Sequence, residues 1–213
     1  MKKHILCYGD SNTHGYNSRT GGRFDENTRW PCLLGEKLGS DCLVIEEGLS
    51  GRTTVVDDNL NEGLSGLDLL TPVMMSHEPL DLVIIMLGTN DTKERFGLTP
   101  ENIALGLRRL AVKGLDTHKA WRSAPKILLI APPPIEKAYR DSSVGGNMGD
   151  GCDKKSERLG PLFASVAEEL GVSFLDAGTL PGMEIYPYDF MHLSPKGHRV
   201  LAEKLAEMVP ELL

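Results

Sequence analysis

No apolar run in this chain of 213 residues approaches the ~20 residues a membrane-spanning helix needs; the longest, Leu82 to Leu87, has the length of a strand. Basic charge is scarce too. Lys and Arg number 23 against 30 Asp and Glu, and a formal net charge of −7 offers no basic face to a phosphate backbone. Neither a membrane nor a nucleic acid is therefore expected as a partner. The four cysteines, at positions 7, 32, 42 and 152, include no C-x-x-C pair. Cys7 and Cys42 lie in apolar strand-like runs and read as small buried hydrophobes. The six histidines are scattered, with no H-x-x-x-H pair and no acidic cluster resembling a metal site, so neither a metal nor another cofactor is expected. Met1-Lys2-Lys3-His4 leads directly into a strand and leaves no room for the apolar region of a signal peptide. A reduced, cytoplasmic setting is the expectation.

What is present is an ordinary globular composition, 40% hydrophobic and 25% charged. The length suits one sizeable core, and a single domain over residues 1–213 is expected. Five short apolar runs read as strands: Ile5-Leu6-Cys7, Leu43-Val44-Ile45, Leu82 to Leu87, Ile127 to Ala131, and Val172 to Leu175. The third and fourth are continuous rather than alternating, the pattern of strands covered on both faces. Helical spacing appears at Ile103, Leu107, Leu110 and Ala111, with Thr99 as a cap and Pro100 in the first turn. It recurs at Leu159, Phe163, Val166 and Leu170 before Gly171, and at Val200, Leu201, Leu205 and Met208 after Ser194-Pro195. This alternation predicts βαβ units on a parallel sheet. Two polar, glycine-rich stretches, 16–30 and 139–151, are long for connections and are expected to be lids or subunit contacts.

Parallel strands end on one side of a sheet, and open α/β folds place their sites there. Gly9-Asp10-Ser11 follows the first strand, Gly48 to Thr54 the second, and Gly88-Thr89-Asn90-Asp91 the third, while Asp189-Phe190-Met191-His192 precedes the last helix. Acyl transfer needs a nucleophile, a base, a group to orient the base, and donors for the developing oxyanion. Ser11, His192 and Asp189 have the right chemistry for the first three roles. The N–H groups of Ser11 and Gly51 and the side-chain amide of Asn90 suit the fourth. Each residue also has a plainer role open to it: Asp10, Ser11 or Ser194 as helix caps, Asn90 and Asp91 as turn formers, Asp189 as a loop solvent group. It is the ordered set that points to chemistry.

That set resembles the SGNH (GDSL-type) hydrolase superfamily, whose four blocks match here as Gly9-Asp10-Ser11, Gly51, Gly88 to Asp91 and Asp189 to His192. The stretches Glu46 to Thr54 and Leu82 to Lys93 are similar to the bacterial arylesterase and acyltransferase branch. The resemblance covers nearly the whole chain. It implies a flavodoxin-like three-layer α/β/α fold with a five-stranded parallel sheet in the order 2-1-3-4-5, and hydrolysis of small esters without a metal. It also implies multimers whose loops narrow the entrance, so a homo-oligomer acting on a small-molecule ester is expected. Two departures stand out. Position 12 is Asn where the usual motif has Leu, and His14 and Tyr16 stand where such arylesterases tend to have Trp. Asn12, His14 and Tyr16 are accordingly expected to wall the substrate pocket.

Within that class a carbohydrate O-deacetylase would use the same groups as an arylesterase. Outside it, Ser11 to Gly15 could cradle a phosphate at a helix start, as in a flavodoxin-like binding module. That alternative leaves Asp189 to His192 without a task.

Overall fold

The computed structural model describes residues 1–213. Five strands form one parallel sheet: β1 (Lys3–Gly9), β2 (Cys42–Gly48), β3 (Leu82–Met86), β4 (Ile127–Ala131) and β5 (Ser173–Asp176), in the order β2-β1-β3-β4-β5. Every residue of β3 and β4 is buried, which is why those two runs carry no alternation. Successive side chains of β1 point to opposite faces. Leu6 and Tyr8 join a core with α3 (Gly66–Ser76), α4 (Pro100–Asp116) and α7 (Leu159–Leu170). Ile5 and Cys7 face α2 (Trp30–Leu38) and α8 (Pro195–Leu212) on the other side. Three layers follow, helices on both faces of the sheet.

The helix ends lie where the capping residues are. Thr99 Oγ1 accepts from Asn102 N at 3.2 Å and Pro100 starts α4. Ser194 Oγ accepts from Gly197 N at 3.1 Å and Pro195 starts α8. Each such cap is worth about 1 kcal/mol. Gly171, with φ +65°, closes α7. The docking of α8 rests on Leu201, Leu205 and Val209, all fully buried. Truncating Leu205 to Ala would cost about 2–5 kcal/mol and loosen the helix that follows His192. No helix is long and apolar enough to cross a membrane.

The long stretches have structure of their own. Residues 16–23 hold a small antiparallel hairpin, Tyr16–Asn17 against Gly22–Arg23, and α2 begins at Trp30. Arg29 ties this stretch to the sheet through Glu46, at 2.9 and 3.0 Å, and to Phe24 O at 2.7 Å. The 139–151 stretch contains α5 (Gly145–Met148) and leads to α6 (Cys152–Ser156).

β1 pairs with β2 on one side and β3 on the other, so its carboxyl end is the point where the strand order reverses. Gly9, Gly48 and Met86 are neighbours across that end. A crevice opens there by topology alone.

Candidate active site

The turn after β1 is fixed by Asp10. Its side chain caps the four-residue helix α1 (Ser11–His14) by accepting from Asn12 N at 2.9 Å, and its carbonyl accepts from Thr13 and His14 N–H. Gly9 is required for this turn, because a Cβ there would lie 2.0 Å from Thr13 Oγ1. Ser11 is thereby presented at the carboxyl end of β1, nearly buried, at the floor of a cavity of about 240 Å³. The backbone N–H groups of α1 do not form an open phosphate cradle, since those of Asn12, Thr13 and His14 are already taken within the turn.

His192 reaches Ser11 from the far end of the sequence. Its Nε2 lies 2.8 Å from Ser11 Oγ, and its Nδ1 lies 2.6 Å from Asp189 Oδ2. Asp189 is fully buried, and its Oδ1 accepts from the N–H groups of Met191 and His192 at 3.2 and 3.1 Å. Burial pushes this carboxyl upward, but the hydrogen bonds and charge of His192 outweigh it and hold it below the usual carboxylate range. An ionised Asp189 can only accept, so the proton sits on Nδ1 and leaves Nε2 to accept from Ser11 Oγ–H. Phe190 adopts φ +62° inside this turn, a conformation costly for a side chain with a Cβ. The fold imposes it where the chain must double back to bring Asp189 onto His192.

Donors converge on the same floor. Ser11 begins α1, where an N–H has no intrahelical acceptor. Gly51 lines the cavity with φ +90°, and a Cβ there would meet Leu64 Cδ1 at 2.8 Å. Asn90 Nδ2 donates to Arg52 O at 3.1 Å and faces Asp10 Oδ2 at 3.5 Å, which fixes the amide beside the cavity it also lines. Arg52 in turn holds Gly9 O at 2.8 Å and stacks its guanidinium 4.1 Å from the centre of the Tyr8 ring. The loops after β1, β2 and β3 are thus locked to one another.

The structure brings Ser11, Gly51, Asn90, Asp189 and His192 together. It divides the three pocket residues. Tyr16 lines the cavity and packs on His192, with ring centroids 4.7 Å apart. Asn12 does not: its Oδ1 accepts from Leu193 N at 2.8 Å and its Nδ2 donates to Met191 O at 3.4 Å, beneath the site. His14 lies outside the cavity as well, its carbonyl held by Arg23 Nε at 2.7 Å. One step along α1, a rotation of about 100°, turns Asn12 away from the face that Ser11 presents.

Other lining groups went unnoticed in the sequence. Leu64, Met148 and Met191 give apolar wall, and Asn61, Lys93 and Asn147 give polar wall. Most come from aperiodic loops, where nothing in the residue pattern marks a lining position. Lys93 could have been found, because it lies two residues beyond the Gly88 to Asp91 block. No group of three or more His, Cys, Asp or Glu side chains is placed to hold a metal ion.

Known proteins resemble this chain in sequence and in fold. The GDSL-like lipase/acylhydrolase family matches residues 7–200. A GDSL esterase/lipase of Arabidopsis thaliana is 26% identical over 99% of this chain and 87% of its own length. The solved aryl esterase of M. smegmatis superimposes with a TM-score of 0.89 at 38% identity, over 99% of this chain and 100% of that one. The carbohydrate acetylesterase Est24 of Sinorhizobium meliloti superimposes with a TM-score of 0.89 at 36% identity, covering both chains fully.

Proposed function

Since the chain belongs to the GDSL-like lipase/acylhydrolase family and is a carboxylic ester hydrolase, we propose that it cleaves short-chain, acetyl-type or aryl esters through an acyl-enzyme on Ser11. The observation that carries this reading is the continuous hydrogen-bonded chain from Ser11 Oγ through His192 to Asp189. As Ser11 Oγ attacks the ester carbonyl, its proton passes to His192 Nε2, and Asp189 stabilises the imidazolium. The carbonyl oxygen, now negative, takes up hydrogen bonds from Ser11 N–H, Gly51 N–H and the Asn90 amide. His192 then returns the proton to the departing alcohol. Water, deprotonated by the same histidine, releases the acid; a second alcohol in its place completes an acyl transfer. The small cavity favours a short acyl group over a long chain.

A carbohydrate O-deacetylase is the second reading. It is favoured by the polar wall of Asn61 and Asn147, whose amides can hydrogen-bond hydroxyl groups. Acetylated sugars assayed beside short aryl esters separate the two.

The test of the mechanism is Ser11→Ala. Turnover of p-nitrophenyl acetate should drop by about four orders of magnitude or more, with the far-UV spectrum unchanged. A folded variant that hydrolyses the ester at the wild-type rate removes Ser11 from the role of nucleophile.

A further inference from the structure

Lys93 is the one cation in the cavity that contains Ser11 and His192, and it is almost wholly buried, 3% exposed. Its ammonium can make three hydrogen bonds, yet no protein group accepts one. The nearest carboxylate oxygen, Asp58 Oδ2, is 4.0 Å away, beyond hydrogen-bonding distance. Asp58 is moreover already engaged. Its Oδ2 receives Arg95 Nη2 at 2.6 Å and Asn61 Nδ2 at 3.2 Å, and its Oδ1 receives Leu60 N at 3.1 Å. The Phe96 ring lies 5.9 Å from Nζ to its centre. The buried carboxylates beneath the site are committed elsewhere, Asp91 to Thr54 and Asp10 to Asn12.

Lys93 and Arg95 sit among the buried carboxylates of Asp58, Asp10 and Asp91, and of these charged groups only Lys93 lines the cavity. Burial and the neighbouring Arg95 draw the Lys93 ammonium below the usual lysine range. An anion placed against it gives the ammonium hydrogen bonds that no protein group supplies. We infer that Lys93 is the specificity-determining contact for a carboxylate on the ester substrate, so that esters carrying a carboxylate are preferred over neutral esters of the same shape. This rests on the esterase reading above and narrows its substrate class. The neutral part of the substrate then shares the cavity with Tyr16 and Leu64.

The experiment compares two pairs of isosteres. 4-Carboxyphenyl acetate against 4-carbamoylphenyl acetate places the charge on the alcohol side. The p-nitrophenyl monoester of glutaric acid against its methyl ester places it on the acyl side. For one of the pairs, wild-type kcat/KM should favour the anion by about tenfold or more. That ratio should collapse towards one in Lys93→Met and survive in Lys93→Arg. A purely structural lysine would lower both members of a pair alike and leave the ratio in place. A wild-type enzyme with no anion preference in either pair overturns the inference and needs no variant to do so; so does a preference that persists in Lys93→Met. Ser11→Ala, run on the same esters, keeps the two levels apart: activity surviving there overturns the nucleophile, whereas flat ratios with a dead Ser11→Ala overturn Lys93 alone.

Discussion

Asn12 and His192 are joined by a bracket: the Asn12 amide accepts from Leu193 N–H and donates to Met191 O, one residue to either side of the histidine and some 180 positions along the chain. The turn bearing the nucleophile therefore holds the turn bearing the base. Position 12 is where the usual motif of this family has leucine.

Asn12→Leu tests the bracket. The Leu193 N–H and Met191 carbonyl would lose their partner in a buried place, at a cost of about 1–3 kcal/mol for each group. Thermal melting should shift downward. The turnover number for p-nitrophenyl acetate should fall by about tenfold or more with little change in KM, because the misplaced His192 serves the transition state rather than ground-state binding. Steady-state kinetics and a melting curve check both, and an unchanged kcat would mean that Asp189 alone positions the histidine.

Asp189→Asn removes the group that fixes the tautomer. The Asn amide can present N–H to Nδ1, which drives the ring proton to Nε2 and leaves no acceptor for Ser11 Oγ–H. A loss of about 10⁴ in kcat is expected at neutral pH, with binding of an unreactive substrate analogue largely retained. Calorimetric titration beside single-turnover rates separates these effects.

The pH dependence of stability holds a third expectation. Burial raises the Asp91 carboxyl to about 6, against the hydrogen bonds from Thr54. An unfolded aspartate titrates near ~3.9. Between those values the native state binds more protons than the unfolded one, so Asp91 adds stability as pH falls through this window and removes it as pH rises. His198 works in the other direction. Its ring is fully buried, accepts from Trp30 N at 3.3 Å, and is held neutral down to about 3, chiefly by burial. The unfolded chain takes up that proton from about pH 6.5 downward, so His198 costs stability as pH falls. Asp91→Asn removes one of two such offsets, since burial raises the Asp10 carboxyl to about 6 as well. From pH 6 to pH 4 the variant should lose about 2 kcal/mol more than the wild type, read from urea midpoints at each pH. Parallel profiles for the two proteins would refute the assignment.

The strands and the catalytic block were legible because both leave local marks. Continuous apolar runs give β3 and β4, and capped, proline-started helices give α4 and α8. Two helices left no such mark. α2 opens at Arg29 without a capping side chain and carries Pro31 and Gly35, and α3 has an uncapped start at Ser65 and Pro72 within it. Tertiary packing of Trp30, Leu34, Leu70 and Met74 holds these helices where propensity alone argues against them. The pocket was legible only in part for a related reason. Residue types announce Ser11, Asn90 and His192, whereas the direction in which Asn12 and His14 point depends on α1 being a helical turn. The polar wall at Asn61, Lys93 and Asn147 exists only once the segments after β2, β3 and β4 fold against one another.

Arg95, on the segment after β3, clips the other two. Arg95 reaches Asp58 at 2.6 Å on one side and the Asn147 carbonyl at 2.7 Å on the other. The polar wall thus hangs together through a side chain outside it: Asn61, bonded to Asp58, and Asn147 share Arg95 as a common anchor, so a change at that guanidinium reaches both amides at once.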